Sequence, residues 1–173
     1  MLLPLNLQQW IEENRHLLKP PIGNKLVFPG GDMMVMVVGG PNARTDYHYN
    51  PTPEFFYQLE GIAEVDLQVD GKKQTVRIGP GDIFLCPAKV PHRPKRSANT
   101  VGLVLEQLRP TGETDGLLWF CESCNAPLYS EFFELTDITK QFQSVFERYF
   151  GSTELRTCKA CGEVAPTPAE LQA

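Results

Sequence analysis

The stretch TDYHYNPTPEFFYQLEG, residues 45–61, decides how this chain folds. Two short runs of β-type sequence are interrupted there by Pro51 and Pro53, and proline inside a strand pattern marks a place where strand pairing stops. The interruption predicts that His48 ends one strand and that Glu54 begins the next. Because those two strand ends can meet at the mouth of a hairpin, we expect an imidazole and a carboxylate to lie together.

A second stretch, GPGDIFLCPAKVPHRPKR, residues 79–96, contains a second histidine. A turn, an apolar strand and a rigid proline turn precede His92, which can carry this side chain back toward His48 and Glu54. Two imidazoles and one carboxylate form a facial triad that leaves about three positions of an octahedral metal open. The alternative is that both histidines are unrelated surface residues and that the glutamate is a solvated charge.

The pattern from Lys25 to about Arg109 is a series of short β-type runs separated by glycine, proline and aspartate. The run IAEVDLQV alternates polar and apolar residues, and Asp70-Gly71 after it is a hairpin turn signal. About eight strands with no helix between them predict a mainly β fold, an antiparallel barrel or jelly roll.

The two ends of the chain differ from this β region. Residues 6–18 predict a short N-terminal helix with Asn6 as its N-cap. Apolar residues recur at helical spacing from Ile138 to Tyr149, which predicts an amphipathic helix whose aromatic stripe packs in the core. We therefore expect a single domain over residues 1–173, with a barrel core at about 25–110 and a C-terminal extension at 111–165.

Four of the five cysteines form two C-x-x-C pairs, Cys121 with Cys124 and Cys158 with Cys161. Both pairs can close on one ion with tetrahedral sulfur coordination, and either iron or zinc would bind there. Disulfides and free thiols are the alternatives. The fifth, Cys86, lies in an apolar strand and is interpreted as a buried packing residue.

Composition limits the classes of partner. The chain has 173 residues, a formal net charge of -5 and a sequence pI near 5.2, which argues against nucleic acid or an anionic membrane as the main partner. No signal peptide and no run of about 20 apolar residues is present, so we expect a cytoplasmic protein without a membrane anchor. A small molecule or another protein remains as the partner.

The two histidine stretches resemble the two halves of the cupin metal motif. The first half is His48-x5-Glu54-x6-Gly61, and the second runs from Gly81-Asp82 to His92. Many cupins carry a second histidine in the first half, where this chain has Asn50. This departure fits a site with three protein ligands, at which a substrate could chelate the metal.

A closer resemblance within the cupins covers nearly the whole chain, from about Trp10 to Cys161. The segments HLLKPPIGNK, VVGGPNARTDYHYNPTPEFFYQLEG, GDIFLCPAKVPHRPKR and LVLEQLRP, with the paired cysteines, are similar to the 3-hydroxyanthranilate 3,4-dioxygenase family in its small bacterial form. The resemblance implies Fe(II) at the triad, 3-hydroxyanthranilate and dioxygen as substrates, a homodimer, and iron at the cysteines. The implied reaction is extradiol ring cleavage to 2-amino-3-carboxymuconate semialdehyde, the precursor of quinolinate.

Four further residues are predicted to contact substrate or dioxygen. Arg44 and Arg96 each lie four residues from a histidine of the triad and could bind a carboxylate, although surface arginines are the alternative. Glu106 interrupts an apolar strand, and a carboxylate inside a barrel needs a partner or a function. The resemblance implies that Glu106 accepts a proton, and it also implies a substrate contact for Asn24.

Three other functions remain open on the sequence alone. A cupin dioxygenase acting on a related aminophenol would use the same triad with different arginine contacts. A cupin that binds without catalysis would not need Glu106, and an interaction protein built on a zinc knuckle would leave His48, Glu54 and His92 unexplained.

Overall fold

The strands of this protein form two antiparallel sheets. The computed structural model describes residues 3–20, 23–30, 33–136 and 138–171. The elements in chain order are α1 (Leu7–Asn14), a 3-10 turn (Arg15–Leu17), β1 (Asn24–Leu26), β2 (Met33–Gly39), β3 (Tyr47–Tyr49), β4 (Glu54–Glu60), β5 (Ala63–Val69), β6 (Lys72–Ile78), β7 (Ile83–Cys86), β8 (His92–Arg96), β9 (Val101–Gln107), β10 (Asp115–Phe120), β11 (Pro127–Phe133), α2 (Ile138–Gly151), α3 (Thr153–Arg156) and α4 (Pro168–Leu171).

The two sheets face each other across a hydrophobic core. One sheet has the order β1-β2-β9-β4-β7, and the other has the order β11-β10-β3-β8-β5-β6. Phe56 and Val104 of the first sheet pack against Val65, Leu67 and Ile78 of the second, and all five are buried. The expected mainly β fold, an antiparallel barrel or jelly roll, is confirmed.

The turn after β5 forms as its sequence predicts. Asp70 and Gly71 have φ angles of 50° and 72°, and they connect two strands whose pairing runs from Val69 opposite Lys72 to Ala63 opposite Ile78. Glycine tolerates this left-handed backbone at no steric cost. The two-residue turn therefore fixes the register of the hairpin.

The N-terminal helix packs on the outside of the first sheet. Asn6 accepts a hydrogen bond from the backbone N–H of Gln9 at 3.0 Å, as predicted for the N-cap. Ile11 and Leu18 pack against Val37 and Val101 of the sheet. The α-helix ends at Asn14, earlier than predicted, because residues 15–17 tighten into a 3-10 turn.

The C-terminal extension contributes to the barrel sheet. Strand β10 pairs with β3, with Leu117 opposite His48, and β11 pairs with β10 on its other side. The aromatic stripe of α2 packs on these strands, where Tyr149 stacks on Trp119 with ring centroids 4.1 Å apart. The short helix α4 and the backbone hydrogen bond from Ala165 N–H to the Arg156 carbonyl order part of the C-terminal tail.

None of the described helices combines the length and the apolar character needed to cross a membrane.

We predict that Tyr149→Ala lowers the free energy of unfolding by about 3–5 kcal/mol, the usual cost of removing a large buried aromatic side chain. Tyr149→Phe is the matched control, because it keeps the stacked ring and removes a buried hydroxyl that lacks a hydrogen-bond partner within the described residues. Urea unfolding followed by tryptophan fluorescence measures both variants. A loss below about 1 kcal/mol for the alanine variant would contradict this account of how α2 is held.

Candidate metal centre and active site

His48 and His92 are brought together by one cross-strand pair. They are register partners of β3 and β8, and their ring centroids lie 5.5 Å apart. Glu54 opens β4 in the opposite sheet, and its Oε1 lies 3.4 Å from His48 Nδ1 and 3.0 Å from His92 Nε2. All three side chains are buried, and one ligand atom from each lies within 4.8 Å of the others. The structure thus assembles the triad that the sequence predicted.

The donor atoms of this cluster suit a divalent transition metal. Burial alone would raise the pKa of Glu54, but the adjacent imidazoles hold it well below its usual range. His92 Nδ1 lies 3.0 Å from the carbonyl oxygen of Val90, which leaves Nε2 directed at the glutamate. Two imidazole nitrogens and one ionised carboxylate are the donor set of a facial triad, so the residues fit Fe(II).

Asn50 supports the carboxylates of the site. Its amide nitrogen donates to Glu54 Oε1 at 2.9 Å and to Glu106 Oε2 at 3.2 Å. Its amide oxygen accepts from the backbone N–H and the hydroxyl of Thr52, both at 3.0 Å. Because Thr52 binds the amide oxygen, the amide nitrogen of Asn50 is turned toward the two carboxylates and orients them. Many cupins carry a further histidine at this position.

Glu106 lies beside the triad, as its place in an apolar strand predicted. It is the register partner of Glu54 across β9 and β4, and it accepts a hydrogen bond from Arg109 Nη1 at 2.8 Å. Burial, followed by the charge of Glu54, raises the pKa of the Glu106 carboxyl. The group is therefore a stronger proton acceptor than an ordinary surface glutamate.

The two predicted arginines adjoin the same site. Arg44 is partly buried and forms a short ion pair with Asp46. Arg96 is buried, and no hydrogen-bond partner of its Nε lies within the described residues. Burial and the neighbouring charge of Arg44 lower the pKa of Arg96 to about 10. Two cations held this close favour an anion between them.

A cavity of about 510 Å³ opens beside these arginines. Asn24 lines it together with Arg44 and Arg96, and it lies exposed on β1. The structure therefore places Asn24 near the arginines rather than among the triad. A larger cavity of about 820 Å³ reaches the same two arginines from the other side; neither cavity is lined by the triad itself.

The four paired cysteines form a second cluster. Sγ atoms lie 3.6 Å apart for Cys121 and Cys161 and 3.5 Å apart for Cys124 and Cys158. These separations are far longer than a disulfide bond of about 2.05 Å and close to the ~3.8 Å expected between sulfurs on one tetrahedral ion. Backbone N–H groups of Cys161 and Ala160 lower the pKa of the Cys158 thiol to about 6. The cluster is thus arranged as a metal knuckle.

Several neighbours of the triad were not predicted. Asp115 accepts from His48 at 2.7 Å, and Arg109 binds both Asp115 and Glu106. Phe142, which we assigned to core packing, also stands against His48 with ring centroids 5.6 Å apart. The one sequence signal for Asp115 is its place at the head of the apolar run GLLWF.

Cys86 is buried in the core, as predicted.

Known proteins resemble this chain along almost its entire length. A family model described as 3-hydroxyanthranilic acid dioxygenase matches residues 1–150. The 3-hydroxyanthranilate 3,4-dioxygenase of Xanthomonas euvesicatoria pv. vesicatoria (strain 85-10) is 51% identical over 165 residues, covering 95% of this chain and 93% of that protein. The protein of the same name from Neurospora crassa is 46% identical over 172 residues, covering 98% and 95%.

Solved structures align with a smaller part of the chain. A cupin-2 domain containing protein from Shewanella frigidimarina is 16% identical, with a TM-score of 0.47 over 60% of this chain and 100% of that chain. The family model covers residues 1–150, and the two relatives are about half identical to this chain over nearly its whole length. The chain therefore belongs to the 3-hydroxyanthranilic acid dioxygenase family.

Proposed function

We propose that this protein is a 3-hydroxyanthranilate 3,4-dioxygenase that binds Fe(II) through His48, Glu54 and His92. The reaction breaks the bond between ring carbons 3 and 4 and adds one atom of dioxygen to each of them, which yields 2-amino-3-carboxymuconate semialdehyde; this product cyclises to quinolinate. The observation that carries the proposal is the buried triad, whose ligand atoms lie within 4.8 Å of one another. Two arginines and Glu106, a glutamate with a raised pKa, adjoin it. A bound Fe(II) would supply the open coordination positions and a path for electrons from the substrate ring to dioxygen.

The balance of buried charge supports a divalent cation and an anionic substrate. Four carboxylates belong to the site, from Asp46, Glu54, Glu106 and Asp115, and all are buried or nearly so. Three guanidiniums face them, from Arg44, Arg96 and Arg109. With both imidazoles neutral, as metal binding requires, one negative charge among these groups lacks a partner, and a buried charge of this kind is costly. A divalent metal ion would change the net charge of the site from -1 to about +1. One carboxylate from a substrate would then neutralise it.

Arg96 is the proposed anchor for the substrate carboxylate. Its guanidinium is buried, and its Nε has no hydrogen-bond partner in the part of the chain that the structure describes, whereas the guanidinium of Arg44 is already bound to Asp46. An arginine with free donors forms paired, charge-assisted hydrogen bonds to a carboxylate. Arg44 then adds positive charge from the cavity wall, which both arginines share with Asn24.

Glu106 is the proposed proton acceptor for the phenolic hydroxyl of the substrate. Its raised pKa favours uptake of a proton, and Asn50 and Arg109 fix one of its oxygens from two sides. Removing the phenol proton increases the electron density of the ring, which ring cleavage by dioxygen needs. A residue with this role must lie beside the metal, and its pairing with Glu54 meets that requirement.

The cysteine cluster is proposed to hold iron or zinc in a structural role, because protein sulfur would fill all four positions. Contacts around it dock the knuckle on the barrel. Glu122 accepts from Arg93 at 2.5 Å, and Asn125 exchanges hydrogen bonds of 2.8 and 3.0 Å with Gln68. Paired cysteines that bind a metal rather than form disulfides are more usual in a reducing compartment, which supports a cytoplasmic location.

A homodimer is proposed on the basis of an apolar surface. Strand register places Leu85, Phe55 and Leu105 in one row on the outer side of the first sheet. Leu85 is 59% exposed and Ile83, on the same edge strand, is 66% exposed. A continuous apolar face of this kind commonly marks a contact with another protein.

We also propose that residues 1–173 form one domain, since β10 lies within the barrel sheet.

Turnover by the metal-loaded protein tests the function. The apo-protein is loaded anaerobically with Fe(II) and mixed with 3-hydroxyanthranilate and air, and we expect stoichiometric oxygen uptake with formation of the semialdehyde. His48→Ala is expected to abolish this uptake because it removes a metal ligand. His16→Ala, at an exposed position on the N-terminal 3-10 turn, is the matched control. A parent protein that holds iron in the triad and gives no turnover would contradict the proposal.

Substitution of Arg96 tests the choice of substrate. Arg96→Met is expected to lower kcat/KM for 3-hydroxyanthranilate about 10- to 100-fold, since hydrogen bonds to charged groups contribute about 1.5–3 kcal/mol. The rate with 2-aminophenol, which has no carboxylate, should stay within about twofold of the parent. An equal loss on both compounds would indicate that Arg96 serves the fold or the metal instead.

The role assigned to the cysteines predicts a separation of stability from activity. Cys124→Ser should lose the second metal and about 3–4 kcal/mol of unfolding free energy, the contribution of a ligand present at some hundreds of times its dissociation constant. The rate per catalytic iron should remain. Lys159→Ser, in the same knuckle and exposed, controls for the substitution itself. Metal analysis, unfolding and oxygen uptake are measured on the same samples, and a dead but stable Cys124 variant would refute the division of roles.

A further inference from the structure

A chain of buried side chains runs behind the triad, on the side away from Glu54. Asp115 is fully buried, and its Oδ1 lies 2.7 Å from His48 Nε2. Arg109 donates to the same carboxylate, from Nη2 at 2.9 Å and from Nε at 3.2 Å to each oxygen. The other end of that guanidinium donates to Glu106 Oε2 at 2.8 Å.

The contact with Asp115 determines which ring nitrogen of His48 carries the proton and which one faces Glu54. A carboxylate accepts hydrogen bonds and donates none, so the proton of a neutral His48 ring must lie on Nε2. The lone pair is then on Nδ1, the atom that faces Glu54 at 3.4 Å. His92 is held in the opposite sense, since its Nδ1 faces the carbonyl of Val90 and its Nε2 faces Glu54. Each imidazole thus has a separate partner that fixes its tautomer.

We propose that Asp115 is a positioning residue of the metal centre, which holds His48 with Nδ1 toward the metal, and that Arg109 locks Asp115 to Glu106. The inference rests on the proposed function in treating the triad as the metal site. It assigns roles to two residues that touch neither substrate nor metal. Their effect on ligand geometry and basicity is of the kind that partners of metal-bound histidines usually have.

Arg109 suits this role because one guanidinium meets two carboxylates in a fixed geometry. Both Arg109 and Glu106 are about one-tenth exposed, so water cannot replace the cation effectively. A lysine at this position would provide the charge without the planar fork that spans both partners. The position of Glu106 beside the substrate and the orientation of His48 beside the metal are therefore set by the same side chain.

Metal affinity of the protein tests the role of Asp115. The cysteine cluster is first filled with zinc, and Mn(II), which prefers imidazole and carboxylate to thiolate, is titrated while free Mn(II) is followed by EPR. Asp115→Asn should weaken Mn(II) binding about 10- to 100-fold, the usual effect of losing such a partner. Asp66→Asn is the matched control, because Asp66 is also fully buried and also paired with an arginine, Arg93. That variant should bind Mn(II) within about twofold of the parent.

A merely structural role for Asp115 gives a different result. In that case Asp115→Asn and Asp66→Asn would both unfold at lower urea concentration, and both would keep the Mn(II) affinity of the parent. This outcome would overturn the proposal. If Asp115→Asn fails to fold, the ring proton of His48 in the parent protein decides the question.

Imidazole NMR of the metal-free parent protein gives that second readout. The chain has three histidines, so long-range 1H–15N spectra can be assigned with single His→Gln variants. We expect a proton on His48 Nε2, shifted downfield by its bond to Asp115. A His48 ring that carries its proton on Nδ1 alone would refute the inference. Because no turnover is involved, the result is independent of whether 3-hydroxyanthranilate proves to be the substrate.

A double-mutant cycle tests the part assigned to Arg109. Arg109→Lys and Asp115→Asn should together weaken Mn(II) binding at least about threefold less than the product of their separate effects, because both break the same link. The cycle of Arg109→Lys with Asp66→Asn should be multiplicative, since these residues share no partner in the network. Independent effects of Arg109 and Asp115 would show that the arginine does not act through Asp115.

Discussion

The carboxylate of Glu54 is the group on which the rest of the site depends. It is 4% exposed, and an ionised carboxylate so deeply buried costs several kcal/mol unless charges and donors surround it. Two imidazoles and the amide of Asn50 meet its Oε1 directly. These groups come from β3, from β8 and from the loop after β3. Their arrangement around Glu54 therefore requires the folded sheets and cannot form within one short segment of the chain.

The two sheets divide the chemistry between them. The six-stranded sheet supplies both histidines, Asp115 and Arg96, whereas the five-stranded sheet supplies Glu54 and Glu106. The imidazoles of His48 and His92 therefore face the carboxylates of Glu54 and Glu106 across the core. The ring of Phe56 packs against His92 on its apolar side. Below them the core is packed with aliphatic side chains. The site is thus the polar end of an otherwise apolar barrel, which keeps water from the reacting groups.

Local signals explain why so much of the site could be predicted from sequence. Two prolines mark the strand ends that carry His48 and Glu54, a charged residue in an apolar strand reveals Glu106, and the cysteine spacing reveals the knuckle. Asp115 and Arg109 escaped prediction because their meaning depends on a partner elsewhere: Asp115 binds a histidine 67 positions away. Strand β10 lacks polar alternation because four of its six residues are buried and the other two are half-buried, so its sequence did not show it as a strand.

The position of β10 has a consequence for the modularity of the protein. It lies between β3 and β11, so a chain cut after Pro110 would keep all three ligands of the triad and lose the strand that flanks one of them. The three-residue strand β3 would become a sheet edge, open to pairing with other molecules. The first 110 residues therefore contain the ligands without being a minimal enzyme.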